Sequence, residues 1–191
     1  SISDLASVTD QGDYRLTGGI LYHVSKLVHP SQCGMWSWLL DNLTLQQYSF
    51  ILTNSMMGRM HISGNVVKHS EENQNVLKDT VVFYKQYRHI LHHARVLYHT
   101  KDFHYYNNDT IRAYELRSFD NKEAVISVAR PKGEQSEITI YLNDLVEGEY
   151  EISVFPSMEK RQESSSVLEK EGICVELPTE FSAQIIYLKQ L

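Results

Sequence analysis

The chain has 191 residues, 42% of them hydrophobic and 22% charged, with a formal net charge of −6. This is ordinary globular composition, sufficient for one domain or two small ones. The acidic balance gives no support for a nucleic-acid or anionic-membrane binder, and the longest apolar runs, such as Met35–Leu40, fall far short of the roughly 20 residues that span a bilayer.

Ser1-Ile2-Ser3-Asp4 carries no initiator methionine, basic n-region or cleavage site, and runs directly into a strand pattern over Leu5–Thr9. A truncated gene product or an excised piece of a longer chain is expected. Asp10 ends the strand and Gln11-Gly12-Asp13 forms a turn. Tyr14–Leu27 has helical spacing, weakened by Gly18-Gly19. His29-Pro30-Ser31 breaks the chain before a second strand over Gly34–Leu39. Thr44 caps a helix reaching Met57, and Arg59–Ser63 is a third short strand. A long helix is expected from about Glu71 to about Tyr98. Ser70 is its N-cap, Glu71 and Glu72 favour its positive end, and Leu77, Val81, Tyr84, Leu91 and Tyr98 recur at helical spacings. Lys85, Arg88, His92, His93 and Arg95 gather late, where cations suit the dipole. Strand, helix, strand, helix, strand, helix is the order of parallel βα units.

The second half has a different texture. Ile111–Phe119, Glu123–Ala129, Ile138–Leu142, Gly148–Val154, Ile173–Leu177 and Ser182–Leu188 read as short strands separated by turn signals such as Asp120-Asn121 and Pro131-Lys132-Gly133. The patch Glu159–Ser166 reads as a solvated loop. This spacing suggests an antiparallel sandwich. Cys33 and Cys174 are too few and too distant for a disulfide framework. They are expected as free, buried thiols, which slightly favours a reducing, cytoplasmic setting.

Several segments resemble the melibiase-type α-galactosidases, glycoside hydrolases that release terminal α-galactose. Met57-Gly58-Arg59-Met60-His61-Ile62-Ser63-Gly64 resembles the family's last barrel strand. Tyr84-Lys85-Gln86-Tyr87-Arg88 resembles the Tyr-Lys-x-x-Arg signature of the following helix. Leu168–Pro178 and Phe181–Leu188 resemble the closing strands of its C-terminal sandwich. Val8-Thr9-Asp10-Gln11-Gly12-Asp13 is similar to the family's Ser-Asp-Asp-Thr-Asp motif, with Gln11 in place of an acidic residue and no Trp before it. The resemblance implies an α/β plus all-β chain: the last three or so βα units of a (β/α)8 TIM barrel over 1–103, then an antiparallel β-sandwich over 104–191. A whole barrel needs about 250 residues, so the rest of the barrel is an implied partner.

The resemblance also implies the chemistry. Retaining glycosidases use two carboxyl groups about 5–5.5 Å apart, one as nucleophile and one as acid/base. The acid/base role falls on Asp10, directly after a strand; a turn-capping carboxylate is the alternative. The family's nucleophile lies in a Lys-x-Asp motif on an earlier strand. Neither Lys78-Asp79 nor Lys101-Asp102 has that form, so the chain alone is expected to be inactive. Asp13 is a weaker acid/base candidate or substrate contact, or the N-cap of the next helix. Trp36, with Trp38, is a candidate sugar-stacking wall or a core residue. The implied partner is an α-galactoside oligosaccharide or glycoconjugate, with no cofactor, nucleic acid or membrane; an oligomer is compatible. His89, His92, His93, His99 and His104 lack acidic or cysteine partners at matching offsets, so no metal is expected. Asn42-Leu43-Thr44 and Asn108-Asp109-Thr110 fit a glycosylation pattern without other signs of secretion. A non-catalytic carbohydrate-binding or interaction module, presenting Tyr105, Tyr106 and Tyr114, is the competing reading.

Overall fold

Caps and breakers set the first half. In the computed structural model, which describes residues 4–8, 12–101, 104, 106–107 and 109–191, the elements are β1 (Ala6–Ser7), α1 (Tyr14–Val24), β2 (Cys33–Trp38), α2 (Leu45–Ser55), β3 (Arg59–Ser63) and α3 (Glu71–Tyr87). Thr44 forms a full capping box with Gln47 at the start of α2. Ser70 accepts the Asn73 N–H at 3.2 Å at the start of α3. The strands form a parallel sheet in the order β1-β2-β3. Period-two alternation then divides its faces. Cys33, Met35, Ser37 and Leu39 are fully buried against the helices. Trp36 and Trp38 are half-buried on the opposite face.

The helix expected to reach about Tyr98 ends at Tyr87. Arg88–His92 is a 3₁₀ turn, and β4 (Ala94–Tyr98) follows. The apolar spacing does continue past Tyr87, but pairing of β4 with β5 (Arg112–Ser118), from Ala94 opposite Ser118 to Tyr98 opposite Tyr114, outweighs it. Val96, Leu97 and Tyr98 suit a pleated, packed surface. β4 thus enters the second half's sheet from within the stretch expected as barrel.

The remaining elements are β6 (Glu123–Arg130), β7 (Glu137–Ile140), β8 (Glu149–Phe155), β9 (Lys160–Ser164), α4 (Ser165–Lys170), β10 (Ile173–Glu176) and β11 (Ser182–Gln190). Six strands form an antiparallel sheet in the order β4-β5-β6-β11-β8-β9, and β7 pairs antiparallel with β10. The patch expected as a solvated loop is β9 followed by α4. Its charged and polar side chains are what an exposed edge strand carries to discourage pairing with other chains. The Asp120-Asn121 turn is present, with Asn121 at φ 58°.

Both faces of the large sheet are covered. Tyr114, Leu116, Val125, Ile185 and Tyr187 join the helices, Met35 and Cys33 in one core. Ala113, Ile126, Val128, Ile152, Ile186 and Leu188 meet Ile140, Ile173 and Val175 of the two-stranded sheet in another. No helix among the described residues is long and apolar enough to cross a membrane.

The two cysteines differ. Cys33 is fully buried, and burial pushes its thiol up to about 12. Cys174, expected to be buried, is exposed because it occupies the outward position of β10, between the inward Ile173 and Val175. Native-state alkylation at pH 8 is expected to modify Cys174 rapidly and Cys33 only on unfolding, since the thiolate is the reactive form. Equal labelling of the two, followed by mass spectrometry, would contradict this burial.

Candidate active site

Parallel strands direct their carboxyl ends and the following loops to one end of the sheet, where barrel enzymes place their chemistry. Here that end comprises the connection from β1 to α1, the Trp36–Trp38 end of β2, and the end of β3. Asp10 belongs to the β1–α1 connection and lies outside the described residues.

Asp13 lies at the other end of that connection and caps α1. Its carboxylate accepts the Arg15 N–H at 3.0 Å and the Arg15 guanidinium at 2.8 Å through Nε and 2.6 Å through Nη2. The Arg15 hydrogen bonds hold the Asp13 carboxyl below its ordinary value, against a smaller opposing effect of burial. Asp13 is therefore a carboxylate at neutral pH and accepts rather than donates. Its contribution to stability follows from the sign of that shift. It is present above the unfolded carboxyl value near 3.8 and is lost as pH falls through the lower folded value. Asp13→Ala is expected to cost about 1 kcal/mol at pH 7, with the difference from the parent shrinking below pH 4 in urea melts. A pH-independent difference would mean that the ionised cap is not responsible.

Trp36 stands at the middle of an aromatic row. Trp38, two residues on, shares its face, with ring centroids 5.9 Å apart and planes at 28°. His61, its partner in register on β3, lies 4.8 Å away at 30°. The Trp36 indole N–H donates to Ser7 Oγ of β1 at 3.0 Å, which fixes the ring across three strands. His61 was not singled out from the sequence. The signal that could have found it is period two within a third parallel strand, which brings His61 beside Trp36 only once the register is known.

Beside this row lies a crevice of about 10 Å³ lined by Gly12, Tyr14, Thr17, Trp36, Trp38, Ile51 and Asn54. That is room for about one water, whereas small-molecule pockets run to about 300–1,000 Å³. The residues around this row thus do not enclose a small-molecule pocket. No group of three or more His, Cys, Asp or Glu able to hold a metal occurs among the described residues.

Comparison with known proteins gives the same picture at the level of fold. No family model matches the sequence, and no curated protein matches it. Among solved structures, the α-galactosidase AgaA of Geobacillus stearothermophilus, a member of GH36, matches with a TM-score of 0.74 at 17% identity, over 96% of this chain and 25% of its own. The galactosidase domain of the α-galactosidase–sucrose kinase AgaSK matches with a TM-score of 0.72 at 19% identity, over 96% and 25%. An Anoxybacillus α-amylase matches with a TM-score of 0.60 at 11% identity, over 94% and 45%. Variants of AgaA have been solved with raffinose and with stachyose. The chain therefore has the fold of part of a GH36 α-galactosidase, and it spans about a quarter of the length of the α-galactosidases it matches.

Proposed function

We propose that this chain is the C-terminal part of a retaining, metal-independent glycoside hydrolase resembling α-galactosidase, acting on terminal α-galactosides of oligosaccharides or glycoconjugates. In this reading β1–β3 with α1–α3 are the last three or so βα units of a (β/α)8 barrel. The antiparallel sheets form a β-sandwich that stabilises it and recruits β4 from the stretch before residue 104. The observation that carries the reading is the α-galactosidase likeness along nearly the whole chain, combined with a carboxylate segment directly after a parallel strand.

Asp10 is the acid/base. It must hold a proton near neutrality while the nucleophile stays ionised. The apolar face of a sugar ring would lie on Trp36, backed by Trp38 and His61. The nucleophile motif is not among the 191 residues, so the chain by itself performs no turnover, and the rest of the barrel is its necessary partner.

Hydrolysis of an aryl α-galactoside tests this. The chain extended upstream to a whole barrel is expected to be active. Its Asp10→Asn form should fall by about 10²–10⁴-fold and recover in part with an activated leaving group or an added small nucleophile. Full activity in Asp10→Asn would discard Asp10, and turnover by the 191-residue chain alone would sink the divided site. A second reading is a non-catalytic carbohydrate-binding or interaction module built on the sandwich; of its candidate tyrosines Tyr106 is exposed, Tyr114 is buried in the core and Tyr105 lies outside the described residues. Galactoside binding by a whole barrel that never hydrolyses would decide for it.

A further inference from the structure

The Tyr84–Arg88 stretch serves two purposes. Its tyrosines bind α3 to the approach of β3. The Tyr84 hydroxyl donates to the Gly58 carbonyl at 2.7 Å and accepts the Met60 N–H at 3.4 Å, and the Tyr87 hydroxyl donates to the Met56 carbonyl at 3.0 Å. Lys85 and Arg88 are instead exposed. With Arg59, the first residue of β3, they line a recess of about 400 Å³ to which Ser31, in the turn before β2, also contributes. His89 and His92 complete the lining; no carboxylate is part of it, and the nearest one placed by a contact is Glu123, whose Oε2 lies 2.8 Å from His89 Nε2.

Three permanent cations around one recess need an explanation in a chain of net charge −6. The negative end of α3 accounts for Lys85 and Arg88. It does not account for Arg59, which arrives from a different element. None of the three has an ion-pair partner among the described residues. The positive charges of Arg88 and Arg59 are close enough to the Tyr84 hydroxyl to act against the rise that burial imposes on it. Like charges held together repel, and a bound anion would offset that repulsion. Guanidinium forks match the geometry of phosphate oxygens, and an ammonium adds a point charge. The recess is far larger than a bare ion and lies within the range of small-molecule sites.

We infer that Arg59, Lys85 and Arg88 form a binding site for a phosphate monoester of a small organic molecule. The site lies at the start of β2 and β3, the opposite end of the sheet from Trp38. It is therefore independent of the glycosidase reading, and either can fail alone.

Isothermal titration of the 191-residue chain at constant ionic strength tests it, with inorganic phosphate in one arm and a hexose 6-phosphate in the other. Arg59→Gln/Arg88→Gln changes only exposed side chains, and its thermal melt is compared with the parent's to establish that it is folded. Binding is expected to weaken about tenfold or more in this variant and to be unchanged in Lys132→Gln, an exposed cation elsewhere. The tighter arm shows whether the ester or the free ion is the ligand. No saturable heat with either anion, or an equal loss in Lys132→Gln, would overturn the site.

Discussion

Replacing Glu115 by alanine is expected to cost the fold about 3–5 kcal/mol. Glu115 is fully buried on β5, and one of its carboxylate oxygens accepts from the Arg117 guanidinium, itself 1% exposed. The other lies 2.9 Å from His99 Nε2. Arg117 also donates to the Asn143 carbonyl at 2.8 Å, so every charged group here is held from more than one side. Residues 115 and 117 share a strand face, and that face points into the core between the two antiparallel sheets. Removing the carboxylate leaves a buried guanidinium without its counter-charge, beside the Asn143 carbonyl. Urea unfolding should show the loss as a lower midpoint with an unchanged slope. Glu115→Gln, which keeps the volume, should lose a comparable amount. Glu115→Leu/Arg117→Met should lose much less than Glu115→Ala, because it removes both buried charges. A loss below about 1 kcal/mol in both single variants would mean that the pair is not excluded from water.

Phe83→Ala is expected to cost about 3–5 kcal/mol and to weaken both halves together. Phe83 is 1% exposed on α3. Its ring lies 5.9 Å from Tyr87 and 5.6 Å from Phe155 of β8. Tyr87 in turn lies 5.7 Å from Tyr187 of β11. These rings belong to one core that runs from the parallel sheet's helices to the antiparallel sheet. Gln46 of α2 extends the junction at the surface, donating to Thr179 Oγ1 at 3.0 Å. Far-UV and near-UV circular dichroism should therefore report one coincident transition, shifted down in the variant. Two separated transitions in the parent would show the halves to be energetically independent.

The parts of the fold legible beforehand are those governed by local chemistry. Thr44, Ser70 and the Asp120-Asn121 turn mark their boundaries because capping and turn formation involve residues a few positions apart. The three parallel strands follow from alternating patterns. β4 and β9 were misread because a strand's identity is decided by what it pairs with. Ala94–Tyr98 continues a helical spacing, and only Tyr114–Ser118 makes it a strand. Lys160–Ser164 has no apolar face at all, and β8 alone gives it structure. The burial of Glu115 and Arg117 was illegible for the same reason, since nothing local announces that a second sheet will cover them. At the candidate site, residue order suggested Trp36 and Asp13, while His61 required the register of two strands more than twenty residues apart.

The position of β11 bears on how the molecule is made. Ser182–Gln190 lies in the interior of the six-stranded sheet, with β6 on one side and β8 on the other. Neither neighbour pairs with the other, so β4-β5-β6 and β8-β9 are two separate ribbons until this segment arrives. Synthesis proceeds from the amino end at about 5–20 residues per second. β1–β3 and α1–α3 therefore emerge early, while the large sheet waits for the codons of its linking strand to be translated. Until then the inner edges of both ribbons are open to any other strand in the cell. A ribosome that stalls shortly before residue 182 would leave a chain with nearly all its residues and no continuous second sheet.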